Sequence, residues 1–149
     1  MPNNHTVIVA ALGLIVLGAA GFSYMSGTAI GPDGGNNVTH VLHQNVQAYN
    51  QENLSLLRQT MHPRSPAVNA TMQQSRQVFS IYDLQARLTN VTVLSVNRTT
   101  ARVRVTQVTH KLSGPQFRDN RVTAVHTLKR YNGEWRIYTS KTESIEYLD

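Results

Sequence analysis

The chain contains no cysteine. That absence removes disulfides, thiolate nucleophiles and cysteine metal sites, and it leaves the redox compartment undecided. No charged residue occurs before Asp33, and every Lys and Arg lies at or beyond Arg58. No H-E-x-x-H pair, G-x-S-x-G elbow, P-loop or dinucleotide fingerprint is present. There is no internal repeat or low-complexity tract. The sequence therefore offers no catalytic signature, and neither a cofactor nor a metal is expected from it.

What is present begins with 149 residues, enough for one domain with a real core. Lys and Arg total 14 against 8 Asp and Glu, a formal net charge of +6 that belongs to the C-terminal part. A basic domain favours anionic partners, or it simply has a soluble, well-charged surface. Val7 to Met25 (VIVAALGLIVLGAAGFSYM) is an uncharged apolar run long enough to cross a bilayer core as a helix, which takes roughly 20 residues. A cleaved signal peptide is the competing reading, with Ala19-Ala20-Gly21 as small residues for a peptidase. The leading MPNNHT has no Lys or Arg and the run exceeds the usual signal core, so an uncleaved anchor is expected. Within that run no Gly is followed by Gly four residues later, so it carries no GxxxG face. Neither flank has a nearby cation to fix its orientation. The turn-rich stretch from Ser26 to Asn37 reads as a flexible tether. The expected organisation is an anchor (or uncleaved signal) over 1–30, a tether over 31–37 and a folded domain over 38–149.

Asn36 or Asn37 offers an N-cap, and Val41, Leu42, Val46 and Tyr49 then recur at helical spacing. Asn53 is placed to cap a second, short helix with Leu54, Leu56, Leu57 and Met61. The loop His62-Pro63-Arg64-Ser65-Pro66 follows, because proline disfavours helix at the residue before it. A third helix is predicted from about Ala67 to Tyr82, with Val68, Met72, Val78, Phe79 and Tyr82 apolar. After Asp83 the period becomes that of strands: Leu84 to Val96, a turn at Asn97-Arg98-Thr99, then Thr100 to Leu112 with Ala101, Val103 and Val105 inward. Val108 and Leu112 fit the opposite phase, which predicts a β-bulge near Thr106-Gln107.

Asn132-Gly133 is the strongest local signal in the chain. Flanked by strand formers, this pair marks a two-residue hairpin turn, since both positions need positive φ. Pairing Tyr131 with Glu134 sets Arg130 opposite Trp135, Leu128 opposite Ile137, His126 opposite Thr139, Ala124 opposite Lys141 and Val122 opposite Glu143. That face is read as a core wall opening into a polar mouth, covered by Leu57, Val78 and Phe79. The opposite face carries Arg102, Arg104, Lys129, Tyr131, Arg136 and Tyr138.

AYNQENLSLLRQTMHP (Ala48 to Pro63), TARVRV (Thr100 to Val105) and YNGEWRIY (Tyr131 to Tyr138), in that order of elements, resemble the nuclear-transport-factor-2-like, cone-shaped (SnoaL-like) α+β superfamily over roughly Val38 to Asp149. The resemblance implies an α+β fold: three N-terminal helices on a curved antiparallel sheet of about four strands, here preceded by one transmembrane helix. It implies no single function, because the superfamily spans isomerases, dehydratases, cyclases and noncatalytic transport or assembly modules. The N-terminal anchor is similar in layout to membrane-anchored secretion components.

In enzymes of that superfamily the cone interior holds an acid/base pair. The candidates here are His126, with Glu143 or Asp83 as carboxylate. The plainer reading is a structural histidine, a Lys141–Glu143 surface pair and a turn aspartate. His40 and His43, three apart on a helix, make at most half a metal site and read as solvent-facing. Arg102, Arg104, Lys129, Arg136, Tyr131 and Tyr138 form a partner-binding candidate, since Arg and Tyr are enriched in interface cores. An ordinary solvated sheet face is the alternative. The N-x-[ST] sequons at Asn37, Asn53, Asn69, Asn90 and Asn97 favour an extracytoplasmic domain if the host glycosylates. The expectation is thus a single-pass, membrane-anchored, noncatalytic interaction or assembly domain, an accessory subunit or a homo-oligomer. Its alternative is a small-molecule-binding or isomerase/lyase-type enzyme using the cone pocket. Nucleic acid is not expected as the partner of a membrane-tethered domain.

Overall fold

The computed structural model describes residues 34–148. The apolar run from Val7 to Met25 lies outside them, and among the described residues no helix is long and apolar enough to cross a membrane. Helix α1 (Gly34–Asn50) starts ahead of the expected caps at Asn36 and Asn37 and overlaps the predicted tether over 34–37. The expected apolar stripe holds: Val38, Val41, Leu42, Val46 and Tyr49 are buried, joined by Asn45 and Ala48. The chain leaves α1 through Glu52 at φ 53°, where the Asn53 amide donates back to the Ala48 carbonyl (2.9 Å). Asn53 then caps α2 (Leu54–Gln59), its side-chain oxygen accepting from the Leu56 amide at 3.0 Å. Helix α3 (Val68–Ile81) buries Val68, Thr71, Met72, Ser75 and Val78. Asn50 fastens the end of α1 to the sheet, donating to the Ala86 carbonyl (2.8 Å) and accepting from the Ala86 amide (2.7 Å).

The four strands β1 (Asp83–Val96), β2 (Thr100–Ser113), β3 (Asn120–Tyr131) and β4 (Glu134–Tyr147) form one antiparallel meander in chain order. Strand β2 pairs with β3 without a register shift, so the bulge expected at Thr106-Gln107 is not in β2. The extra residue is Thr89 of β1, directly across. Gln107 and Thr109, though polar, continue the buried row of Ala101, Val103 and Val105, and Val108 between them is buried as well, as its apolar character led one to expect. Leu112 is left exposed.

The Asn132-Gly133 turn forms as predicted, with φ 49° and 79°, and sets Tyr131 opposite Glu134, Arg130 opposite Trp135 and Leu128 opposite Ile137. Past Ile137 the prediction slips. Tyr138 is an extra residue, so Thr127 faces Thr139 and His126 faces Ser140; a second shift sets Ala124 against Thr142 and Val122 against Ile145. A one-residue slip exchanges the faces of everything beyond it. Ser140 is therefore buried, while Lys141 and Glu143 are exposed.

The main core cluster joins Val38, Val41 and Leu42 of α1 to Ala101, Val103, Val105, Leu128, Trp135 and Ile137 of the sheet. The cover over Trp135 is thus α1, not Leu57, Val78 and Phe79. Leu57 packs instead with Ala48, Met61, Val68 and Met72, and Val78 with Val46, Tyr49, Leu84 and Ala86. The α2–α3 connection closes the edge of β4 beside the turn: Ile137 donates to the Thr60 carbonyl (2.9 Å) and His62 to the Ile137 carbonyl (2.8 Å).

Candidate functional site

His126 is wholly buried on the inner face of β3. Its Nδ1 shares a short hydrogen bond with the Ser140 hydroxyl, while Nε2 has no partner. Burial pushes its pKa down to about 4, so the ring is neutral at physiological pH. The two candidate carboxylates are elsewhere. Glu143 is on the outer face, holding the Arg104 guanidinium through two bonds of 2.9 and 3.0 Å. The hydrogen bond from Arg104 keeps its carboxyl below the usual range. Asp83, exposed at the start of β1, lines an open groove of about 480 Å³ with Asn50, Glu52, Tyr82 and Ser113. The three candidate acid/base residues are therefore not brought together. A neutral histidine with a hydroxyl partner is placed to hold strands β3 and β4 in register.

The outer face does bring its predicted residues together, and it adds partners the sequence did not reveal. Lys129 lies opposite Arg136 across β3 and β4, its Nζ 3.8 Å from the Tyr138 ring centroid. Arg136 donates to Glu134 at 2.8 Å. Arg102 and Arg104 continue the face on β2. His62, from the loop after α2, sits between Tyr131 and Tyr138 with ring centroids 5.6 and 5.5 Å away. Burial lowers its pKa; a hydrogen bond to the Arg130 carbonyl opposes this, and nearby Lys129, Arg64 and Arg136 lower it further. The cationic field is thus interleaved with Glu134 and Glu143. Only the register slip at Tyr138 places Glu143 there, and no local signal announced it.

A second pair unforeseen in the sequence is His110 and Asp119 (Nδ1 to Oδ2, 2.7 Å), with the Lys111 amide donating to the other carboxylate oxygen at 2.9 Å. Desolvation alone would raise the Asp119 carboxyl, but these hydrogen bonds outweigh it and hold the pKa down. His40 and His43 are exposed on α1. No three His, Asp or Glu side chains among the described residues are grouped to hold a metal. Of the sequons, Asn37 falls within α1, while Asn53, Asn69, Asn90 and Asn97 are exposed. Asn53 and Asn97 already use their side-chain oxygens to cap a helix and a turn.

A cavity of about 410 Å³ lies between α1, α2 and the β3–β4 turn. His40, Gln44, Gln59, Arg130, Trp135 and Arg136 are among its walls. Arg130 lies flat over Trp135, 4.2 Å from the ring centroid.

Among the described residues three helices lie on a four-stranded antiparallel meander, and this α+β fold is shared with solved structures of NTF2-like proteins. A candidate aromatic ring hydroxylase of Novosphingobium aromaticivorans superposes with a TM-score of 0.64 at 11% identity, covering 75% of this chain and 91% of that one. A candidate scytalone dehydratase of the same organism gives 0.63 at 11%, covering 76% and 86%. A candidate dehydratase of the NTF2-like family from Streptomyces avermitilis gives 0.58 at 18%, covering 70% and 90%. At such identities the likeness is one of fold. No curated protein matches the sequence. Residues 40–148 match the model of the anti-sigma-I factor RsgI9 C-terminal domain, and the chain belongs to that family.

Proposed function

We propose that this chain is a membrane-anchored, noncatalytic component of a regulatory system of the anti-sigma type. In this reading Val7 to Met25 is the anchor, and the domain over 38–149 lies outside the cytoplasm. There it binds an envelope protein or a second copy of the chain through the outer sheet face, and a sigma factor is reached only indirectly. The observation that carries the reading is that Arg102, Arg104, Lys129, Arg136, Tyr131 and Tyr138 fall on one face, a composition suited to an interface core. Membership of an anti-sigma-I factor domain family supports a membrane-associated regulatory role. The alternative, an isomerase or lyase working in the cone interior, needs a carboxylate beside His126, and Glu143 and Asp83 lie elsewhere.

The test is recovery of the chain from mildly solubilised membranes. A stable heteromeric partner or a homo-oligomer is expected, and substituting both Arg104→Glu and Arg136→Glu should abolish the association. The Arg104–Glu143 pair is exposed and worth roughly 0–1 kcal/mol, whereas the Arg136 side chain is only 22% exposed, so folding of the doubly substituted domain is checked by circular dichroism before the association is scored. A lone monomer in mild detergent would count against the proposal.

A further inference from the structure

Charge is unevenly placed along the strands of the domain. Three connections meet at one end: the β3–β4 turn, the β1–β2 turn and the segment between α2 and α3. The Arg130 amide donates to the Thr99 carbonyl at 3.1 Å, and the Ile137 amide to the Thr60 carbonyl at 2.9 Å. This end carries Arg58 in the last turn of α2, Arg64, Arg98, Lys129, Arg130 and Arg136. Among the described residues Glu134 is its one acid. The remaining described acids lie farther along: Glu143 on Arg104, and Glu52, Asp83, Asp119 and Glu146 toward the opposite end, where Asp83 faces Ser113 and Arg121 faces Glu146. Arg58, Arg64 and Arg98 are exposed, and none of the three forms an ion pair among the described residues.

Helix α1 begins at this same basic end. Its Val38 and Val41 pack with Ala101, Leu128 and Trp135 beside the two turns, whereas Asn50, at its other end, is bonded to Ala86 near the start of β1. The helix starts at Gly34, so only the eight residues from Ser26 to Asp33 separate it from the apolar run ending at Met25. Fully extended, eight residues reach roughly 30 Å at most. The end of the domain joined to the proposed anchor is therefore the basic one. With Asp33 and Glu134 set against the six cations, it keeps a balance of four positive charges. We infer that this end docks onto the anionic phospholipid headgroups of the leaflet from which the anchor emerges, with Arg58, Arg64 and Arg98 as its unpaired cations. The inference rests on the anchor reading given above. Each cation held near an anionic surface raises the docked-to-undocked ratio about fivefold, and the attraction fades beyond about 8 Å at physiological ionic strength. Such docking is weak for a free domain, but a short tether holds the domain at high local concentration over the lipid. Strands β3 and β4 run away from the docked end, which leaves the outer sheet face open to a partner beside the membrane.

The chain has no cysteine, so a fluorophore can be placed on a single introduced one. Thr99→Cys marks the basic end, and Leu112→Cys, at an exposed position, marks the opposite end. The full chain is assembled into nanodiscs of phosphatidylcholine, alone or mixed with phosphatidylglycerol, that contain a lipid with a paramagnetic, quenching headgroup. Co-elution with discs of either composition reports the anchor. Phosphatidylglycerol is expected to increase quenching at position 99 and not at position 112, and concentrated salt to reverse the increase. Arg58→Gln, Arg64→Gln and Arg98→Gln together should lower the docked-to-undocked ratio by about a hundredfold, about fivefold for each charge, and so remove the increase. None of the three belongs to the association face, so the two surfaces are tested separately. Docking is overturned if a chain that co-elutes with the discs shows quenching at 99 indifferent to phosphatidylglycerol, an equal increase at 112, or an increase that survives the triple substitution. Failure to co-elute with phosphatidylcholine discs would instead overturn the anchor reading, and the docking with it.

Discussion

His126 is buried with a hydroxyl partner and no counter-charge, so its protonation is coupled to folding. Its pKa is about 4 in the folded chain against 6.5 when exposed. Between those values the unfolded chain binds a proton that the folded chain does not, so stability falls as the pH falls through that window. The loss amounts to about 3 kcal/mol in total, saturating below the folded pKa. His62 is shifted in the same direction and adds to the effect. Asp119 and Glu143 have lowered pKa values, so their contributions are kept above the usual carboxylate range and lost only at more acid pH. Urea unfolding measured across this window should therefore show falling stability on acidification. His126→Gln should remove roughly one proton's worth of the slope. A variant with the wild-type slope would place the sensitivity elsewhere, His62 being next.

The β3–β4 hairpin is the element whose two faces can be told apart by substitution. Trp135 is 3% exposed in the main core cluster, and truncating such an aromatic to alanine costs about 3–5 kcal/mol. Tyr138 lies on the other face against His62 and Lys129, and its aromatic contact is worth about 1 kcal/mol. Chemical denaturation should find Trp135→Ala largely unfolded and Tyr138→Ala folded, with Trp135 emission blue-shifted and poorly quenched by iodide. Readily quenched emission, or the opposite order of the two variants, would reverse the faces. What was legible in this hairpin follows from the same physics. Asn132-Gly133 fixed the turn and the four pairs beyond it, out to Leu128 and Ile137, because only residues tolerant of positive φ form that turn. The slip at Tyr138 was not legible, because Thr139, Ser140 and Thr142 suit either face and set no phase. That single residue moved Glu143 from the expected polar mouth to the outer face and separated it from His126. The helices were legible by their period, whereas the identity of the one covering Trp135 was a matter of tertiary packing that no local pattern encodes.

At the scale of the whole molecule two forces can hold the chain at a membrane, and they predict different behaviour. The domain carries the entire excess of a +6 chain, which attracts anionic lipid over distances set by the Debye length, about 8 Å at physiological ionic strength. On the outer face much of this charge is already matched, by Glu143 on Arg104, Glu134 on Arg136 and Glu146 on Arg121. Electrostatic attachment would therefore be weak and would be released by salt. The uncharged run Val7 to Met25 is of a length that spans a hydrocarbon core, and insertion of such a segment is indifferent to salt. Membranes containing the full chain should accordingly retain it through washes with concentrated salt and alkaline carbonate. A chain lacking residues 1–30 should appear in the soluble fraction and still unfold cooperatively. Release of the full chain by salt would assign membrane attachment to the basic domain and leave the N-terminal run as a cleaved signal.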